Sequence, residues 1–153
     1  MPFRHKSLVS SRTLARRVLF GCILLAGCSG RDAQLAEPGA ADFRAVALQF
    51  AKALAARDYS AAYGMTAQEL RSRMSQGEMQ AGFEAIVPLD WGPIDPIEVS
   101  GTLTEWRFPE KQPSDLGWVY VTIGGVAYGE AVIVIVTMEN GEPRIRTVEF
   151  GRP

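Results

Sequence analysis

The chain has 153 residues, enough for one domain, and its formal net charge of −1 hides an uneven distribution. Arg4, Lys6, Arg12, Arg16 and Arg17 lie within residues 1–28, which hold no acidic residue; without them 11 basic residues face all 17 acidic ones, a net of −6. An acidic domain lacks the basic face that neutralises phosphates, which excludes nucleic acid as a partner, and it has no electrostatic drive toward anionic lipid.

The N-terminal segment has three parts in the order an export signal requires. A basic stretch runs from Arg4 to Arg17, an apolar one from Val18 to Leu25, and then come Ala26, Gly27 and Cys28. The apolar stretch is about half of the roughly 20 residues that a spanning helix needs. The alternative is a buried helix of a cytosolic protein. Leu25-Ala26-Gly27-Cys28 resembles the lipobox of bacterial lipoproteins. The resemblance implies a signal peptide over 1–27, cleavage before Cys28, diacylglycerol on its sulfur and acylation of the new amino terminus. Each buried methylene contributes about 0.8 kcal/mol, so several chains on one cysteine anchor stably. Cys22 fits the same pattern less well, because Phe20 is bulky where a small residue is expected and little apolar stretch precedes it. Arg16-Arg17 faintly resembles a twin-arginine signal, with the general secretory route as the other reading. Ser29, in place of the Asp that retains such proteins at the inner membrane, implies a periplasm-facing domain on the outer membrane of a two-membrane source. In a single-membrane source the same anchor puts the domain on the outer face of the cell.

Cys22 and Cys28 are the only cysteines and His5 the only histidine. Removal of 1–27 leaves no histidine and no cysteine but Cys28. No intramolecular disulfide, Cys/His zinc site, cysteine nucleophile or Ser-His-Asp triad can then exist, and no cofactor is implied. Residues 28–41, small and polar with Pro38-Gly39 near the end, read as the lipidated cysteine and a tether to a single domain over 42–153.

Within that domain, Phe43, Val46, Ala47, Phe50, Ala51 and Leu54 recur at helical spacing, predicting a helix from about Asp42 to Arg57, capped by Asp42. A short helical turn over Tyr59–Tyr63 follows. Thr66-Ala67-Gln68-Glu69 and Ser75-Gln76-Gly77-Glu78 are capping-box patterns, predicting helices to about Met74 and to just before Pro88. Beyond Pro96 the pattern alternates. Strands are predicted over Ile97–Trp106, Gly117–Ile123, Ala127–Met138 and Arg144–Phe150, with a break at Gly124-Gly125 and a hairpin at Asn140-Gly141. Val132–Val136 is apolar on both faces, as in a central strand. The fold class is α+β, with N-terminal helices packed on a curved antiparallel sheet of about four strands.

The helix ending in Phe50–Arg57, the following Asp58-Tyr59-Ser60-Ala61-Ala62-Tyr63 and the closing hairpin into Ile145–Phe150 resemble nuclear transport factor 2-like, or ketosteroid-isomerase-like, domains. The resemblance spans about residues 42–151 and implies a cone around the long helix with an internal pocket. That superfamily holds both enzymes and binding domains, so the fold does not choose an activity.

Two sets of carboxylates bear on this choice. Asp90 and Asp95 flank Trp91-Gly92-Pro93 and could serve as a general base with Tyr120 or Tyr128 as hydrogen-bond donor. The same residues equally make an Asp-Gly-Pro turn. Glu130 reads either as an inward carboxylate paired with Arg144 or Arg146, or as a charge at a strand end. Trp91, Trp106 and Trp118 could line a pocket or fill the core. Gly124-Gly125 lacks the Lys-Ser/Thr of a phosphate loop. The sequence thus points to a lipid-anchored binding domain for an envelope protein or apolar small molecule. The alternatives are a histidine-free isomerase or cyclase and a purely structural envelope component.

Overall fold

The computed structural model describes residues 42–125 and 129–152. The expected signal peptide, Cys28, the tether and Tyr128 lie outside these residues. The chain opens with helix α1 (Phe43–Ala55), with the Asp42 side chain accepting the Arg44 backbone N–H at 3.0 Å. Its apolar stripe of Ala47, Phe50, Ala51 and Leu54 is fully buried. Helices α2 (Tyr59–Gly64), α3 (Gln68–Arg71) and α4 (Gln76–Ile86) follow. The capping box expected at Ser75 forms in full, each residue accepting from the other's backbone. The Ser75 backbone N–H, and then its hydroxyl, hold the Glu78 carboxyl below its ordinary value of 4.5.

Four strands form one antiparallel sheet in chain order: β1 (Ile97–Leu103), β2 (Asp115–Gly124), β3 (Gly129–Glu139) and β4 (Glu142–Phe150). The α+β class expected from the sequence is what the structure shows. Asn140 and Gly141, at φ 53° and 81°, make the tight turn between β3 and β4, as their residue types predict. β1 stops at Leu103, short of the predicted Trp106, and β2 begins two residues early, at Asp115. Helix α1 lies across the sheet and touches all four strands. Phe50, Leu54, Met79 and Phe83 fill the space between helices and sheet against Val119, Val121, Val132, Val134 and Val136. Each such side chain contributes about 1.5–3 kcal/mol by leaving water.

Every ladder carries one extra residue: Ser100 in β1, Leu116 in β2 and Arg146 in β4. Bulges bend and twist a strand, which curves the open sheet around α1. Two of them are joined. Arg146 is 4% exposed and donates from Nε to Asp115 Oδ1 at 2.7 Å and from Nη2 to Oδ2 at 2.6 Å. Asp115 is 8% exposed and also accepts the Gln112 N–H at 2.8 Å. The guanidinium further reaches Glu69 of α3 at 3.5 Å and the Glu110 carbonyl at 3.3 Å.

The capping box expected at Thr66 does not form. Met65–Ala67 runs alongside β4: Ile145 N–H donates to the Met65 carbonyl, and Ala67 N–H to the Ile145 carbonyl. This bridge buries Thr66, whose hydroxyl donates to the Tyr63 carbonyl and accepts from Arg71 Nε. Ala67 becomes the cap residue, Glu139 takes the Gln68 N–H, and α3 stops at Arg71 instead of Met74.

Removing one member of a buried, hydrogen-bonded ion pair costs about 3–5 kcal/mol, because the partner's charge stays buried. Asp115→Ala is expected to lower unfolding stability by about that amount in urea titrations. The double variant Asp115→Leu/Arg146→Met is expected to lose less than Asp115→Ala alone.

Candidate functional site

An open groove of about 490 Å³ lies at the C-terminal end of α1. Lys52, Ala55, Ala56 and Arg57 form one wall, and Leu89, Gly92, Ile94 and Ile97 the other. The second wall belongs to the 88–97 segment, which is fixed to the end of β2. Asp95 N–H donates to the Gly124 carbonyl, and Gly124 N–H to the Pro96 carbonyl. Trp91 packs over Gly125 so closely that a Cβ there would lie 1.7 Å from its indole nitrogen. The Gly124-Gly125 break therefore makes room for this segment.

Arg57 ties the groove's two walls together. Helix α1 ends with Arg57 N–H bonded to the Leu54 carbonyl and Asp58 N–H to the Ala53 carbonyl, the paired bonds of a Schellman motif. That motif needs a left-handed residue, usually glycine; here Arg57 takes it at φ 61°. A side chain in that conformation costs about 1 kcal/mol. In return the guanidinium donates to the Val87 and Pro88 carbonyls at 2.9 and 3.1 Å and to Tyr59 Oη at 3.2 Å. It also lies 5.3 Å over the Phe83 ring. Tyr59 donates onward to Glu84, which Gln80 also contacts. Burial, with Arg57 opposing it, pushes the Tyr59 phenol above its ordinary value of 10.0, so it remains a donor at neutral pH. Lys52 is exposed at the rim. The groove thus combines two cations with an apolar lining.

Three of the sequence-derived candidates, Asp90, Asp95 and Tyr120, are among the described residues, and Tyr128 lies outside them. Asp90 is exposed and lines a separate groove of about 350 Å³ with Ala85, Ile86, Pro88 and Trp91. Asp95 is exposed, and its backbone N–H serves the strand contact. Tyr120 lies opposite Gly101 and Ile133, alternating with core residues Val119 and Val121, so it points away from the helices. Its ring lies 6.2 Å from that of Trp118. Glu130 pairs with Arg152 at 3.7 Å, and not with Arg144 or Arg146 as the inward alternative had it. Arg144 is held by the Gly64 carbonyl and Glu142, and Arg146 by Asp115. Trp91 packs against the core, whereas Trp106 lies beneath the Lys111 ammonium at 5.6 Å.

Among the described residues no cluster of three or more His, Cys, Asp or Glu side chains could hold a metal, and no helix is long and apolar enough to cross a membrane. Comparison of the chain with protein-family models, curated proteins and solved structures found no match. Lys52, Arg57 and the Tyr59–Glu84 pair were not singled out from the sequence. The available signal was an arginine at the helix-ending position where glycine is the rule.

Arg57→Ala keeps the left-handed strain and loses the hydrogen bonds, so a stability loss of about 1–3 kcal/mol is expected. Arg57→Gly relieves the strain and is expected to lose about 1 kcal/mol less. Thermal unfolding of the two variants side by side checks the order.

Proposed function

We propose that this chain is a cell-envelope lipoprotein, anchored by lipid on Cys28, whose folded domain is a non-catalytic binding module. In a two-membrane source it faces the periplasm from the outer membrane. The observation that carries the non-catalytic reading is the filled interior: Phe50, Leu54, Met79 and Phe83 are fully buried where a cone would need an internal pocket. Tyr120 points away from the helix-covered core, which supports the same reading, because acid–base work requires acid and base within hydrogen-bond reach of one point. The likeness to nuclear transport factor 2-like domains rests on element order and remains part of this proposal. The binding surface is the groove between Lys52, Arg57 and Leu89. Its chemistry suits a ligand with an apolar body and a carboxylate, which an apolar small molecule or a segment of an envelope protein could supply.

Two measurements test this reading. Labelling cells with radioactive palmitate is expected to mark the wild-type chain, while Cys28→Ala stays unlabelled and uncleaved. Persistent labelling of the variant moves the site to Cys22 or removes the anchor. Calorimetric titration with dodecanoate is expected to show binding that Lys52→Glu weakens by about tenfold, or 1.4 kcal/mol. Equal affinity in the two proteins excludes this groove as the site.

A further inference from the structure

Among the described residues three large apolar side chains are prominently exposed: Phe108 at 89%, Leu89 at 77% and Leu103 at 47%. Leu89 borders the groove described above. The other two lie elsewhere and close to each other in sequence, at the end of β1 and in the 104–114 loop that follows it. Leu103 is opposite Trp118 in the ladder, one residue from Gly117. Gly117 packs so tightly on the Phe43 ring that a Cβ would lie 2.3 Å from it. Phe43 is the first residue of α1. The point where the chain enters the domain, the end of β1 and the start of the loop therefore share one end of the sheet. Leu89 borders the C-terminal end of α1, whose 13 residues span about 20 Å.

The loop is held at its base and bare at its tip. Gln112 N–H is fixed by Asp115, the Glu110 carbonyl by Arg146, and the Gln112 side chain by Glu69. Lys111 pairs with Glu105 at 2.7 Å while its ammonium caps the Trp106 ring. Arg107 and Phe108 project between these ties, both exposed. An exposed phenylalanine, beside a half-buried tryptophan and the cations Arg107 and Lys111, the latter paired with Glu105, suits the interfacial layer of a bilayer.

We propose that the tip of this loop, Phe108 with Trp106, Arg107 and Leu103, rests in the interfacial layer of the bilayer that holds the anchor. This inference depends on the lipid at Cys28 proposed above. The 14 steps from Cys28 to Asp42 reach at most about 50 Å, so the domain cannot leave the neighbourhood of the surface. Tethering makes the second contact intramolecular, at an effective concentration that lets a weak apolar contact be occupied. The contact is apolar in origin, as an acidic domain requires. It orients the domain with the α1 entry end toward the lipid and the Lys52–Arg57 groove outward.

The test uses the lipid-modified chain. Signal removal takes Cys22 and the thioether occupies Cys28, so Phe108→Cys carries the only free thiol, and Leu89→Cys serves as the comparison. Each is labelled with an environment-sensitive fluorophore and reconstituted into phosphatidylethanolamine–phosphatidylglycerol vesicles, with or without dibrominated phosphatidylcholine. A blue shift and bromolipid quenching at position 108, with neither at position 89, is the expected result. A chain that floats with the vesicles while the label at 108 stays water-like overturns the loop contact and leaves the anchor standing. Equal quenching at 89 and 108 overturns it too, because the domain then has no preferred face. A chain that does not float removes the anchor, and this inference with it.

Discussion

The guanidinium of Arg146 is the constraint on which the far end of the domain depends. It sits on a bulge of β4, and its carboxylate partner Asp115 sits beside a bulge of β2, with β3 between them. Both charges are withdrawn from water, a cost that only near-complete hydrogen bonding offsets. Here the bidentate contact is supplemented by Glu69, the Glu110 carbonyl and the Gln112 N–H. These partners come from α3, the 104–114 loop and two strands. One ion pair therefore ties α3, the loop and the bent sheet together. An apolar pair could fill the same space, but would not specify which loop residue meets which helix.

The parts of the fold legible in the sequence are those whose signals close within a few residues. The Ser75–Glu78 box is complete in four residues, and the Asn140-Gly141 turn depends on two backbone angles that those residue types tolerate. Helix α1 declares itself by its stripe. Thr66 carries the same local pattern as Ser75 yet does not cap. The backbone on either side of it, at Met65 and Ala67, is bonded to Ile145, 79 positions after Thr66, and no local rule sees those bonds. The partner of Arg146 was hidden for a related reason. Two bulges shift the register, and alternation counted along one strand cannot place a side chain across them. Glu130 was legible as a strand-end charge; its partner Arg152 was not, because that pairing is set where β4 ends.

The groove was the least legible feature. Its walls come from the end of α1 and from a segment about 35 residues later, joined by the Arg57 hydrogen bonds to Val87 and Pro88. What could be read was a departure from custom: a helix ending on arginine where glycine is free of strain. Strain of this kind persists where the surrounding structure gains from it. The gain here is a charged side chain that ties the two walls together and still borders the opening.

The sheet has a further property, which follows from its order β1-β2-β3-β4. Val132–Val136 is a short, uncharged, strongly β-forming run, the composition that stacks into cross-β fibrils when its edges are free. Both of its edges are taken by chain neighbours, β2 and β4. The outer edge of β4 is partly occupied by Met65–Ala67, and β1 presents a bulge and Glu98. The cover on one side of the best-buried strand thus begins at a two-residue turn, Asn140-Gly141, and an edge that its own chain closes so early is never offered to another.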